Sequence, residues 1–409
     1  MQQPHFSLLL TVIVFFIAIT PYGAYASDNL GEALFKGKPD INIRSYYMKK
    51  SYDISDPKES LAVGGSLGYT TLWWKNLRAG ATMFTSQGFI FNDEDKSGTG
   101  LLGSPRQSGY TVLGHAYLQG KISKTEFTVF RQELDTPFIN PYDFRMTPFT
   151  FEAYTIKSKD ISKFTFLASH VTKIKKWTDT TFESMSGAAG IYGANEPVTM
   201  AGIIFEPTKN YKLQLWNYYC YNFMNIVYFR ADGEWKLNSE TTFSTSTQLI
   251  NQQDIGKSLA GEFNTTMAGV QGILKWKGFG FRFAYTATDS NHGIMNPWSS
   301  YPGFTSIIVE DNDRAGENTW LVGLSYDFST LGINGLSILS NYTDSCTPKT
   351  GSNASPSQRE LDFTVDYRFN KLLNGLWLRF RAGLVNQDKS MDGQDMKDIR
   401  VIVNYKVPF

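Results

Sequence analysis

Residues 360–369 read ELDFTVDYRF, and their reading decides the fold. Leu361, Phe363, Val365, Tyr367 and Phe369 fall on one side of an extended chain, and Glu360, Asp362, Thr364, Asp366 and Arg368 on the other. This is the two-residue period of a strand with one apolar and one polar face. The next segment repeats it, with Leu376, Leu378, Phe380, Ala382 and Leu384 against Trp377, Arg379, Arg381 and Gly383. The last one sets Ile399, Val401, Val403, Tyr405, Val407 and Phe409 against Asp398, Arg400, Asn404 and Lys406. A soluble sandwich alternates too, but rarely carries a bulky apolar residue at every outward position of its final strand.

Composition agrees with strands. Aromatic residues make up 15% of the 409 residues, with Phe 30, Tyr 22 and Gly 35, a balance that favours β structure. The net charge of +1 leaves no nucleic-acid footprint. Residues 1–26 carry an apolar run from Leu8 to Ile19 and a small-x-small site at Ala24, Tyr25 and Ala26. They read as a secretory signal peptide cleaved before Ser27, leaving 27–409 as a single barrel domain. Beyond Ser27 no uncharged apolar run approaches the roughly 20 residues of a membrane helix. A membrane-embedded form of this chain is therefore a closed barrel.

Short turns are expected near Lys75, Ile122, Asp160, Lys209, Asn238, Gly278, Gly332 and Leu373. Eight turns join sixteen strands in pairs, and one further strand at each end brings the total to about eighteen. The fold class is thus all-β, a transmembrane antiparallel barrel. The opposite connections are long and rich in Gly, Ser, Asn and Asp. Trp73, Trp74, Trp235, Trp276, Trp320 and Tyr326 cluster toward strand ends, as interfacial girdles do.

The same parity places Arg44, Arg78, Arg230, Arg282, Arg379, Arg381 and Arg400 indoors, because a cation facing lipid at mid-bilayer costs about 2 to 4 kcal/mol. Some pair with Glu360, Asp362, Asp366 and Asp398. Arg379, Arg381 and Arg400 are expected to form a vertical row offering a carboxylate successive contacts. No catalytic constellation competes: His115, His170 and His292 are the histidines beyond the leader, and neither a G-x-S-x-G motif nor a His/Cys cluster of metal spacing occurs. The chain is read as no enzyme, without cofactor or metal, and Cys220 and Cys346 as bystanders.

Residues 131–154, RQELDTPFINPYDFRMTPFTFEAY, leave a strand, break on three prolines and resume one. Here Arg131, Gln132, Leu134, Thr136, Pro137, Asp143, Arg145, Met146, Pro148, Phe151 and Glu152 match a pattern of the OprD-type family of outer-membrane porins, which the chain resembles. Further similarity runs through SMSGAAG at 184–190, WNYY at 216–219, NPWSSYPGFTS from 296, RAGENTW at 314–320 and YDFSTLGINGLS at 326–337.

The resemblance implies an eighteen-stranded monomeric channel in the bacterial outer membrane, with an inward-folded third loop at 135–150. It implies a second constricting loop at 291–318 and a basic row that conducts carboxylates. The constriction would hold Arg131, Asp135, Asp143 and Arg145, with Asp311 and Asp313 as acidic counterparts. The expected function is passive, selective diffusion of small water-soluble solutes that carry a carboxylate: amino acids, short peptides or organic acids. A structural or adhesive barrel with a loop-plugged lumen is the rival reading. Expected partners are solutes, outer-membrane lipid and lipopolysaccharide, and the barrel-assembly machinery through the final strand ending in Phe409.

Overall fold

The computed structural model describes residues 26–370 and 373–408. The leader, apart from Ala26, and the terminal Phe409 lie outside the described residues.

Among the described residues, eighteen strands of at least 8 residues follow one another. They are β1 Lys38–Tyr52, β2 Lys58–Thr70, β3 Leu77–Gly88, β4 Tyr110–Ile122, β5 Thr125–Gln132 and β6 Thr150–Ser158. Next come β7 Phe164–Lys175, β8 Val198–Thr208, β9 Tyr211–Cys220, β10 Met224–Lys236, β11 Thr241–Asp254 and β12 Asn264–Trp276. The last are β13 Phe279–Thr288, β14 Asn318–Asp327, β15 Leu336–Cys346, β16 Gln358–Arg368, β17 Leu376–Gln387 and β18 Met396–Lys406. Each pairs antiparallel with its neighbour in sequence. β1 also pairs with β18, Arg44 opposite Asn404 and Met48 opposite Arg400, which closes the sheet into a barrel without free edges. All eight expected turns fall between strands on one rim. Several rest on left-handed residues at their tips, among them Lys75, Ser123, Lys277 and Leu373.

The alternation read from residues 360–369 holds around the wall. Leu361, Phe363, Phe380, Val401 and Val403 are exposed on the outside, whereas Glu360, Asp362, Asp398 and Arg400 are buried inside. Outer aromatics gather near the turn rim: Trp235 stacks on Phe243, and Trp276 on Phe279, which tilts against Tyr326. Amphipathic rings belong at such a depth, where one end is apolar and the other wet. No helix among the described residues is long and apolar enough to cross a membrane.

The main apolar cluster lies inside the barrel. Its members are loop residues Phe138, Ile139 and Trp298 packed on wall residues Met200, Tyr218 and Tyr228. An empty pore of this circumference would be wide, so what these loops leave open sets what passes.

Candidate functional site

Loop L3 (133–149) leaves β5 where prolines and an isolated bridge between Thr136 and Ile139 end strand pairing. Phe138 sits edge-on to Tyr218 and Tyr228, with ring centroids 5.8 and 6.1 Å away. The far end of the loop is held by Arg44 of β1. Its guanidinium donates to both Asp143 oxygens at 2.7 and 3.0 Å, to the Arg145 carbonyl at 2.5 Å and to Asn404 at 3.0 Å. These contacts set the loop against the lumen side of the wall at two well-separated points.

Loop L7 (289–317) is seated by a different device. The backbone N–H groups of Val309 and Glu310 donate to the two Glu360 oxygens, both at 2.8 Å, and Ile308 N–H donates to Asp362 at 2.8 Å. Arg400 completes the clasp by donating to the Ile308 carbonyl at 2.9 Å. Gly383 makes the room: a Cβ there would stand 2.9 Å from a Val309 methyl. L3 and L7 also join directly, since Asn140 accepts from Ser300 N–H at 3.0 Å and donates to the Ser300 carbonyl at 3.3 Å.

The expected basic row is only partly free. Arg379 forms a bidentate pair with Asp366 at 2.6 and 2.8 Å and lies over Trp377. Arg400 forms one with Asp398 at 2.8 Å and is buried. Glu360 and Asp362, expected as arginine partners, hold loop amides instead. Arg381, registered with Arg400 and one inward position above Arg379, makes no ion pair among the described residues; its one hydrogen bond runs to Thr364 at 3.4 Å.

The remaining inward arginines have structural duties. Arg230 pairs with Asp232 at 2.7 Å and faces Phe304 of L7. Arg282 donates to Gln271 at 2.8 Å and to the Phe304 carbonyl. Arg78 sits near the turn rim, bonded to Gln119 at 2.5 Å and stacked on Trp73. They are therefore not members of one continuous row.

The constriction set needs one correction. Arg131 is registered with Ala116 and Glu152, on the same outer face as Val129 and Tyr154, while Gln132 and Phe151 turn inward. It binds Glu152 at 3.1 Å and lies over Phe182, 4.3 Å from the ring centroid. A cation is tolerated there because Arg131 lies one residue from the end of its strand, near the rim, where the lipid penalty falls to about 0–1 kcal/mol. Asp143 does enter the lumen but is neutralised by Arg44. Arg145 is buried, held by the Thr99 and Phe144 carbonyls and the Trp177 face. Asp135 borders a chamber of about 460 Å³ whose other charged lining residues include Lys157, Lys159, Glu206 and Lys212.

A family model described as outer membrane porin, OprD family, matches residues 92–409. The chain belongs to the OprD family. It is accordingly an outer-membrane porin, one of a family of channels rather than of enzymes, through which small solutes cross. Comparison with curated proteins finds no match.

Solved porins of the family share the fold at low identity. OccK9 (OpdG) of Pseudomonas aeruginosa superposes with a TM-score of 0.83 at 19% identity, over 92% of this chain and 100% of its own. A BenF-like porin of Pseudomonas fluorescens Pf-5 also scores 0.83 at 19%, over 91% and 99%. OpdK of Pseudomonas aeruginosa, solved with vanillate, scores 0.81 at 18%, over 91% and 98%.

Within this porin two further features escaped sequence reasoning. Lys50 faces inward opposite Asp398, and continuing the β1 parity from Arg44 would have found it. Tyr142 stands at the tip of L3 against Trp177. Burial first, then Asp311 of L7, raises its phenol above the ordinary value, while Arg145 and Arg400 pull it down.

Burial, reinforced by Asp311 and Glu317, pushes Asp313 up to about 7. Asp313 is therefore neutral below that pH and negative above it. Acidification from pH 8 to pH 6 should raise the anion preference measured by reversal potential, and Asp313→Asn should flatten that dependence.

Proposed function

We propose that this porin passes small carboxylate-bearing solutes, namely amino acids, short peptides or organic acids, by selective passive diffusion. The observation that carries the reading is Arg381, an inward guanidinium without a carboxylate partner on a wall where Arg379 and Arg400 already have theirs. A free guanidinium offers a carboxylate two parallel hydrogen bonds. The paired neighbours keep the site weak enough for release, since conduction requires binding that is favourable but shallow.

Arg145 and Lys50 lend positive field, and Asp311 and Asp313 oppose it across the lumen. The chamber beside Asp135, with Lys157 and Lys212, extends the route toward the turn rim. OpdK, a family member of the same fold, was solved with a carboxylate, vanillate, which supports this substrate class. We further propose that the porin acts as a monomer and is delivered by the barrel-assembly machinery through its last strand.

A liposome-swelling panel of matched acidic, neutral and basic solutes tests the reading. Acidic solutes should enter fastest, and Arg381→Gln should remove most of that advantage. Equal rates for all three classes would overturn it.

A further inference from the structure

The outer wall is dented between β6 and β10. Along one register line Ile156 faces Ala168, Ala168 faces Ala201, and Ala201 faces Asn217. Two methyl side chains stand there, while the line below carries Phe166, Ile203 and Leu215. The result is an open, largely apolar groove of about 550 Å³ on the lipid-facing side. Its lining is nearly all hydrocarbon, so only an apolar chain recovers the dispersion contacts that the missing side chains forgo.

The next line toward the loop rim is polar. Tyr154, His170, Thr199 and Tyr219 are in register. His170 and Thr199 share a hydrogen bond at 2.9 Å, and Thr199 and the Tyr221 hydroxyl another at 3.2 Å. One line higher, Arg131, Glu152 and Lys173 are in register. Glu152 sits between the two cations, 3.1 Å from Arg131 Nε and 3.6 Å from Lys173 Nζ. One carboxylate cannot neutralise two cations, and half of the Lys173 side chain remains exposed.

From the cations to the dent is four residues along a strand, about 13 Å. Cations, then hydroxyls and imidazole, then a hydrocarbon groove: this is the order in which a phosphorylated lipid presents phosphate, sugar and acyl chain. We propose that this strip seats one phosphorylated glycolipid of the outer leaflet, of the lipid A type. The phosphate rests on Arg131 and Lys173, whose donors suit it, and one acyl chain runs over Ala168 and Ala201. Arg131 thereby has a role outside the pore, with the Phe182 ring of the loop after β7 fixing its guanidinium plane.

Native mass spectrometry of the detergent-purified, full-length barrel tests this, with diphosphoryl lipid A as probe and the same lipid stripped of phosphate as control. The wild type should retain one diphosphoryl lipid A. Arg131→Gln with Lys173→Gln should cut retention about tenfold, and Ala201→Phe, which fills the groove while leaving the cations, should cut it comparably. Unchanged heat-modifiable migration and unchanged single-channel conductance establish that each variant is folded. Equal retention by wild type and the double variant would overturn the proposal. So would equal retention of the phosphate-free lipid, or a stoichiometric oligomer of this chain that excludes lipid A.

Discussion

Arg44→Ala should release the far end of L3 and enlarge the pore while leaving the barrel intact. The substitution removes four donations, three of them to L3 and one to Asn404 of the wall. It also leaves Asp143 without its partner. Hydrogen bonds to charged groups contribute about 1.5–3 kcal/mol each, and they do not add when one side chain makes them all. Asp143 is 45% exposed, so solvent screening keeps the net value toward the low end. A loss of about 2 kcal/mol raises the population of undocked loop roughly 30-fold. The expected reading is a higher and noisier single-channel conductance with a nearly unchanged melting temperature, because the ladder hydrogen bonds of eighteen strands are untouched. Asp143→Asn should show a milder form of the same change, since the Arg145 carbonyl still receives a donor.

Glu360→Ala with Asp362→Ala should unseat the other loop. Three backbone N–H groups, of Ile308, Val309 and Glu310, lose their acceptors at once. A buried N–H left unpaired costs about 1–3 kcal/mol, so the segment should leave the wall and find water. The release is local, because Arg282 and Gln358 still hold the flanks of the segment at Phe304 and Asn312, while within 308–310 the donation from Arg400 to the Ile308 carbonyl is left without its three neighbours. Proteolytic cleavage between residues 305 and 313 should become fast in the double variant and stay slow in the wild type. Anion preference should also rise, because negative charge leaves a lumen in which Arg381 has no carboxylate partner among the described residues. Gly383→Val offers a second route to the same state, because a Cβ there would stand 2.9 Å from a Val309 methyl and 3.1 Å from Asp362 Oδ1, crowding both the loop and the carboxylate that seats it. Cleavage unchanged in both variants would remove the carboxylate clasp from the account.

The strand count and the two faces of the wall were legible because a period of two and a set of short turns are local properties of sequence. Residues 360–369 show it: the faces read there match the register of β16 with β15 and β17. Arg379 and Asp366 meet because the intervening turn sets them directly opposite, and the Arg400–Asp398 pair needs only two positions on one face. Both ion pairs were within reach of parity.

The fate of Glu360 and Asp362 was not, because their partners lie some fifty residues away in a loop without periodicity. Arg131 illustrates the opposite failure. A regular strand gives Arg131 the same face as Phe127 and Val129, whereas the family pattern drew it toward the pore. The register to Ala116 and Glu152 shows that parity was the better guide.

On the function proposed above, the unpaired guanidinium of Arg381 sets a preference for carboxylates. Reversal potentials of single channels in a planar bilayer, under a gradient of a potassium carboxylate salt, test it most directly. The wild type should be anion-preferring, and Arg381→Gln should shift the reversal potential toward zero or to cation preference. Arg379→Gln combined with Asp366→Asn should move it far less, because the two substitutions remove a matched pair of charges. A reversal potential that Arg381→Gln leaves unchanged would contradict the account.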